Sequence, residues 1–181
     1  NVSTFSYDAN GNTLTKTEPK GNQTADDPDD FKTVYTYNSQ NKILTAKIIK
    51  NNSQSRYNYN RNGLLESVIS PNGLKTSYLY DATGRLKETI NPQGYKEKVE
   101  YDAQGNPKSL TDPNSKKSNL TFDSLDRLEN ETQPTGLSVN YQYDNNGNLT
   151  SLSDGTKTLN YAFDRDDKVT VEANNNLGQN K

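Results

Sequence analysis

Carboxylates and tyrosines are the side chains here that could do chemistry. The chain has 23 Asp and Glu, 12 Tyr and 4 Phe, and no His, Cys, Trp or Met. Without His, the commonest general base and metal ligand is missing. Without Cys there is neither a thiolate nucleophile nor a disulfide framework. Oxygen chemistry remains. Asp144-Asn145-Asn146-Gly147-Asn148 has the composition of a calcium loop. An EF-hand loop, however, needs ligands at alternating positions and a distal bidentate Glu, and this run has neither. A glycosidase pair could be sought among Glu66, Glu88, Glu100, Glu129 and Glu131, but none stands apart from its neighbours as such a pair would. They read as a solvated face. Exposed tyrosines could stack on sugar rings. The competing reading, that they hold a sheet together, is favoured by their spacing.

An aromatic followed by Asp or Asn occurs at Tyr7-Asp8, Tyr37-Asn38, Tyr59-Asn60, Tyr80-Asp81, Tyr101-Asp102, Phe122-Asp123, Tyr143-Asp144 and Phe163-Asp164. Successive intervals are 30, 22, 21, 21, 21, 21 and 20 residues. Other positions repeat in phase. Two residues before each anchor stand Phe5, Tyr35, Tyr57, Tyr78, Val99, Leu120, Tyr141 and Tyr161. Four after it come the turn formers Gly11, Asn41, Gly63, Gly84, Gly105, Asp126, Gly147 and Asp167. Six after it the residue is aliphatic except at Thr13 and Pro107. Nine before the anchor, Pro71, Pro92, Pro113 and Pro134 open a second turn, with Gly73, Gly94 and Gly136 two residues later. The long first interval is explained by an acidic insertion at residues 22–30, expected as an exposed loop. Periodicity of this kind marks a repeat architecture, here about eight units spanning residues 1–181.

Each unit reads as strand, turn, strand, turn. Residues at i and i+2 of the anchor pair share one strand face. An Asp followed three residues later by Gly is turn chemistry: the carboxylate takes backbone amides ahead of it, and Gly supplies positive φ. In the second strand, apolar residues sit three apart, as at Leu65 and Val68, where strict alternation gives two or four; a bulge, a strong twist or a bent strand accounts for this. No helix of useful length is expected. One hairpin is marginal alone, so neighbours must stack, with cross-strand aromatic pairs each contributing roughly 0.2–1 kcal/mol. Only 28% of residues are hydrophobic, too few for a thick core, so one curved layer is expected.

A net charge of -2 with no basic run gives no reason to expect nucleic acid or an anionic membrane. No apolar stretch approaches the roughly 18 residues that a membrane span needs. With no initiator Met and no leader, the chain reads as an internal piece of a longer protein.

The segment Tyr78-Leu79-Tyr80-Asp81-Ala82-Thr83-Gly84-Arg85-Leu86 resembles the hallmark of the YD-repeat family, also called Rhs repeats, at every specified position. Tyr141 to Leu149 matches with Asn148 in place of Arg, and Tyr57 to Leu65 more loosely. The resemblance implies an all-β fold: tandem β-hairpin repeats forming a single curved, spiralling antiparallel sheet, a segment of a hollow shell. The structural anchors would be Tyr7, Asp8, Gly11, Tyr37, Tyr59, Gly63, Tyr80, Asp81, Gly84, Tyr101, Asp102, Gly105, Phe122, Asp123, Tyr143, Asp144, Gly147, Phe163 and Asp164. It further implies a non-enzymatic, secreted or wall-associated bacterial protein whose shell encloses or displays a C-terminal toxin domain. An abundance of Asn and Lys points to a Gram-positive source. Expected partners are the rest of the shell and the toxin domain, with no cofactor, no metal, no nucleic acid and no membrane. The alternative is an adhesion module that binds wall polymer or glycan. Self-association of the chain through open strand edges is also expected. Rhs toxins carry an aspartyl autoprotease with an Asp-Pro-x-Gly-Trp type motif; Asp112-Pro113 falls at an ordinary repeat turn and the chain has no Trp, so that activity is not expected.

Overall fold

Alternating polar and apolar residues, broken by turn formers every ten or so positions, give strands and nothing else. A computed structural model of the protein describes residues 2–19 and 31–176, with side chains through residue 172. The insertion expected at 22–30 lies outside the described residues. The chain divides into two compact units. The first, Asn1–Tyr95, holds β1 (Thr4–Tyr7), β2 (Thr13–Thr17), β3 (Lys32–Tyr37), β4 (Ile43–Ile48), β5 (Ser53–Tyr59), β6 (Leu65–Ile69), β7 (Lys75–Tyr80) and β8 (Leu86–Ile90). The second, Lys96–Lys181, holds β9 (Lys96–Tyr101), β10 (Pro107–Thr111), β11 (Lys117–Phe122), β12 (Leu128–Thr132), β13 (Ser138–Tyr143), β14 (Leu149–Ser153), β15 (Lys157–Phe163) and β16 (Val169–Asn176). Within each unit, strands pair antiparallel with their neighbours in chain order. The fold is all-β, a meander of tandem hairpins.

Register explains the irregular second strand. In β5 and β6, Asn58 pairs with Ser67 but Tyr59 pairs with Leu65, so Glu66 is an extra residue. A bulge therefore returns Leu65 and Val68 to one face, which settles the three choices left open by the sequence. Such a shift stands one pair in from every Tyr-Asp type turn, beside Tyr7, Tyr37, Tyr59, Tyr80, Tyr101, Phe122, Tyr143 and Phe163. Pairings at the other end of the strands run without a shift.

The two faces differ. On one, each aromatic or aliphatic residue two before the anchor faces a residue of the second strand, as Tyr57 faces Val68 and Tyr141 faces Leu152. The other face carries polar residues bonded across the strands, alongside apolar ones such as Leu79 and Ala162. Ser6 and Thr15 hydroxyls lie 2.6 Å apart, Thr36 and Thr45 2.7 Å apart, and Asn58 Nδ2 donates to Ser67 Oγ at 3.0 Å. Ser109 Oγ and Lys117 Nζ both donate to Glu100, at 3.0 and 3.1 Å. Among the described residues no hydrophobic side chain is buried, whereas Ser67 and Ser109 are. Each unit is a single layer held by its ladder, by half-buried side chains and by what happens at its turns.

Candidate functional site: the turns that join successive repeats

Every turn that follows an anchor is built by the residue after it. Asp81 Oδ1 accepts from the amides of Thr83 and Arg85, both at 2.9 Å. The Gly84 amide donates to the Asp81 carbonyl at 3.1 Å, and the Asp81 amide to the Arg85 carbonyl at 2.9 Å. This is a three-residue hairpin loop that ends in a left-handed residue; Gly84 has φ +86°, a region where a Cβ is disfavoured. The same side-chain bonds recur at Asp8, Asn38, Asn60, Asp123, Asp144 and Asp164. Asp102 takes the Gly105 and Asn106 amides instead, at 2.8 Å each.

The second carboxylate oxygen is also committed in several copies. Arg85 Nε and Arg127 Nε donate to Asp81 and Asp123 Oδ2 at 2.7 Å, Asn12 Nδ2 to Asp8 Oδ2 at 2.8 Å, and Asn148 Nδ2 to Asp144 Oδ2 at 3.1 Å. These donors favour the ionised form. The Asn12 amide holds the Asp8 carboxyl below its ordinary range. The Thr83 hydroxyl, then the Arg85 amide and guanidinium, hold Asp81 far below it. Arg127 lowers the Asp123 carboxyl, and the Asn148 amide lowers that of Asp144. At Asp102, desolvation pushes upward, but the Asn106 and Gly105 amides outweigh it. Among the described residues no group of three His, Cys, Asp or Glu is placed to hold a metal ion. In the Asp144 run both carboxylate oxygens of Asp144 accept from turn donors.

The anchor tyrosine acts one repeat back. The Tyr37 hydroxyl donates to the Thr13 carbonyl at 2.8 Å, Tyr59 to Ile43 at 2.9 Å, Tyr80 to Leu65 at 2.8 Å and Tyr143 to Leu128 at 2.9 Å. Each acceptor is the bulge residue that pairs with the preceding anchor. A bulge interrupts the ladder, and the hydroxyl supplies a donor there. Burial raises the Tyr37, Tyr59 and Tyr80 hydroxyls above the ordinary tyrosine range. Phe122 and Phe163 have no hydroxyl to give.

Turns also touch along the stack. Asn12 Nδ2 donates to Asn41 Oδ1 at 2.8 Å, Asn106 to Asp126 at 2.7 Å and Asn148 to Asp167 at 2.8 Å. Arg127 Nη1 donates to the Asp144 carbonyl at 3.1 Å, with its guanidinium carbon 4.6 Å from the Tyr143 ring centroid. Lys42 Nζ donates to the Gly63 carbonyl and lies 5.5 Å from the Tyr59 centroid. Sequence reading singled out the anchors and left-handed positions but passed over Asn12, Lys42, Asn106 and Arg127, and gave Asn148 no role between turns. Their signal was a polar or basic residue immediately after the left-handed one. The turns at the other end of the strands include the same form. Ser70–Leu74, Asn91–Tyr95, Asp112–Lys116 and Gln133–Leu137 close with the same two backbone bonds as Asp81–Arg85. The Pro merely occupies the second position of the same turn.

Comparison with known proteins follows the repeat. The family model described as RHS Repeat matches residues 59–96, 80–117, 101–136 and 122–159, more than half of the chain. A chain in the structure of the Photorhabdus luminescens Tc holotoxin pore is similar with TM-score 0.52 and 19% identity, over 94% of this chain and 12% of that one. A chain in the TcdB2-TccC3-Cdc42 crystal structure gives 0.50 and 19%, over 90% and 12%. At this identity the likeness is one of fold, and the chain spans a small part of those proteins. No curated protein sequence matches it.

Proposed function

The chain belongs to the RHS-repeat family, and on that premise we propose that residues 1–181 are one array of about eight repeats forming part of the wall of a secreted bacterial container. Its role is mechanical: to enclose or display a toxin domain carried by the same polypeptide. The anchors Tyr37, Tyr59, Tyr80 and Tyr143, with their Asp or Asn neighbours, are its seams. One observation carries this reading. The repeated Asp carboxylates cap turns, and the Tyr37, Tyr59, Tyr80 and Tyr143 hydroxyls bond to the preceding repeat. Catalysis is accordingly assigned to other parts of the protein, and a Gram-positive wall-associated source is part of the same proposal.

Limited proteolysis of the secreted protein tests it. Segments that follow the array resist protease while it is intact and become susceptible when Tyr78 and Tyr80 are both replaced by Ala. Equal digestion of both forms would defeat the container.

A second reading has its own observation. Phe5 and Tyr7 stack with centroids 6.4 Å apart and planes 21° apart, and are 48% and 59% exposed. Such a platform suits a sugar ring in an adhesion module for wall polymer or glycan. Saturable binding on a glycan array, lost on changing Phe5 and Tyr7 to Ala, would favour it. Self-association belongs to the proposal too: Val169 and Val171 are exposed on β16, and a strictly monomeric species in concentrated light scattering would remove it.

A further inference from the structure

Successive turns are matched in pairs. Where the left-handed position holds Asn41, Asp126 or Asp167, with φ +58°, +58° and +57°, the preceding turn offers Asn12, Asn106 or Asn148, and each donates to that side chain. Where the position is Gly63, Gly84 or Gly147, the preceding turn offers a longer side chain, Lys42, Leu64 or Arg127. Lys42 Nζ stands 2.6 Å from where a Cβ on Gly63 would lie, and Leu64 Cδ1 stands 3.6 Å from where one on Gly84 would lie. Arg127 reaches the carbonyl of Asp144 in the turn that holds Gly147. In sequence, Arg85 precedes Gly105 and keeps the rule.

The physical reason is complementary shape and polarity. A short Asn amide cannot cross to the next backbone, so it needs an acceptor side chain there. An Asp in the left-handed region carries strain that a charge-assisted bond offsets. A Lys or Arg reaches the next backbone itself, as Lys42 reaches the Gly63 carbonyl and Arg127 that of Asp144, and a Leu only packs there, so neither needs an acceptor side chain at the left-handed position. We propose that the residue after each left-handed position and the left-handed residue of the next turn form a matched pair that determines which hairpin can dock after which. Near-identical hairpins are prone to dock out of order, and a mismatched junction leaves an unpaired amide or a clash, which selects against the wrong neighbour. This matching does not depend on what the array encloses.

Equilibrium unfolding of the full chain tests it. Without pairing, Asp126→Gly relieves left-handed strain and raises the unfolding midpoint. With pairing, it strands the Asn106 amide and fails to stabilise. Asn106→Leu alone lowers the midpoint, shifting the unfolding constant roughly fivefold, and the Asn106→Leu/Asp126→Gly double variant, which copies the Leu64–Gly84 junction, recovers most of the loss. Should Asp126→Gly not fold, the reverse conversion serves: Gly84→Asp is destabilised and Leu64→Asn/Gly84→Asp recovers. Additive effects in either cycle, or stabilisation by Asp126→Gly alone, would overturn the pairing.

Discussion

The anchor turns and the Pro-containing turns at the opposite end of the strands share the same pair of backbone bonds, yet they are built to different ends. At the Tyr-Asp end, the register shifts by one residue beside each anchor, a hydroxyl reaches the carbonyl at the preceding shift, and side chains run from turn to turn. At the Pro end the described register is unshifted, and the turns expose Leu74, Tyr95 and Leu137. A contact between neighbouring turns there is Lys50 Nζ, 5.0 Å from the Phe31 centroid. Turn chemistry alone therefore does not make a repeat signature. The signature marks the end where one hairpin is fastened to the next, because a residue that serves two repeats is constrained by both.

The largest effect expected follows from removing that fastening. Changing Tyr78 and Tyr80 together to Ala should cost about 2–5 kcal/mol in chemical unfolding, whereas Tyr95→Ala at the Pro end, 56% exposed, should stay within about 0.5 kcal/mol. Similar losses would erase the difference between the ends.

Acid should open the Asp-capped turns of the Tyr-Asp end before the Asn-capped ones. The carboxyls of Asp8, Asp81, Asp123 and Asp144 are held low in the fold by turn donors. A lowered folded value contributes stability that is present above the unfolded value of about 3.9 and is lost as pH falls through the folded values. Turns capped by Asn38 and Asn60 use an amide oxygen that does not titrate there. Proton NMR from pH 5 down to pH 2 should show the Asp-capped turns opening before the Asn-capped ones. Simultaneous opening would show that the caps do not carry the acid response.

A smaller effect separates tyrosine from phenylalanine anchors. Tyr80→Phe removes one hydroxyl-to-carbonyl bond and should cost about 1 kcal/mol. Phe122→Tyr restores the pattern toward the Pro107 carbonyl and should gain no more than that. If Tyr80→Phe is neutral, the hydroxyl is not a fastener.

Much of this was written in the chain. Spacing alone placed the hairpins, the Asp caps and left-handed positions such as Gly84, because these are local: each depends on residues within four of itself. Leu65 and Val68 signalled an irregular second strand but could not say whether it was bulged or bent, since that depends on the pairing of Tyr59. The hydroxyl bonds were not legible. Tyr80 and Leu65 are 15 residues apart, and nothing in either residue names the other until the hairpins stand side by side. The bond between Asn106 and Asp126 was not legible for the same reason.

Native-state amide hydrogen exchange compares the two ends within one molecule. The amides of Arg85, Arg127 and Asn148 are bound to Asp caps in turns fastened by side chains. Those of Tyr95 and Lys116 bond to Asn91 and Asp112 in turns of the same backbone form at the other end. The account predicts slower exchange for the first group, and it predicts that this protection falls in Tyr80→Phe at Arg85 while Tyr95 is unchanged. Equal exchange at both ends, or greater protection at the Pro end, would contradict the claim that the Tyr-Asp turns are where the repeats are joined.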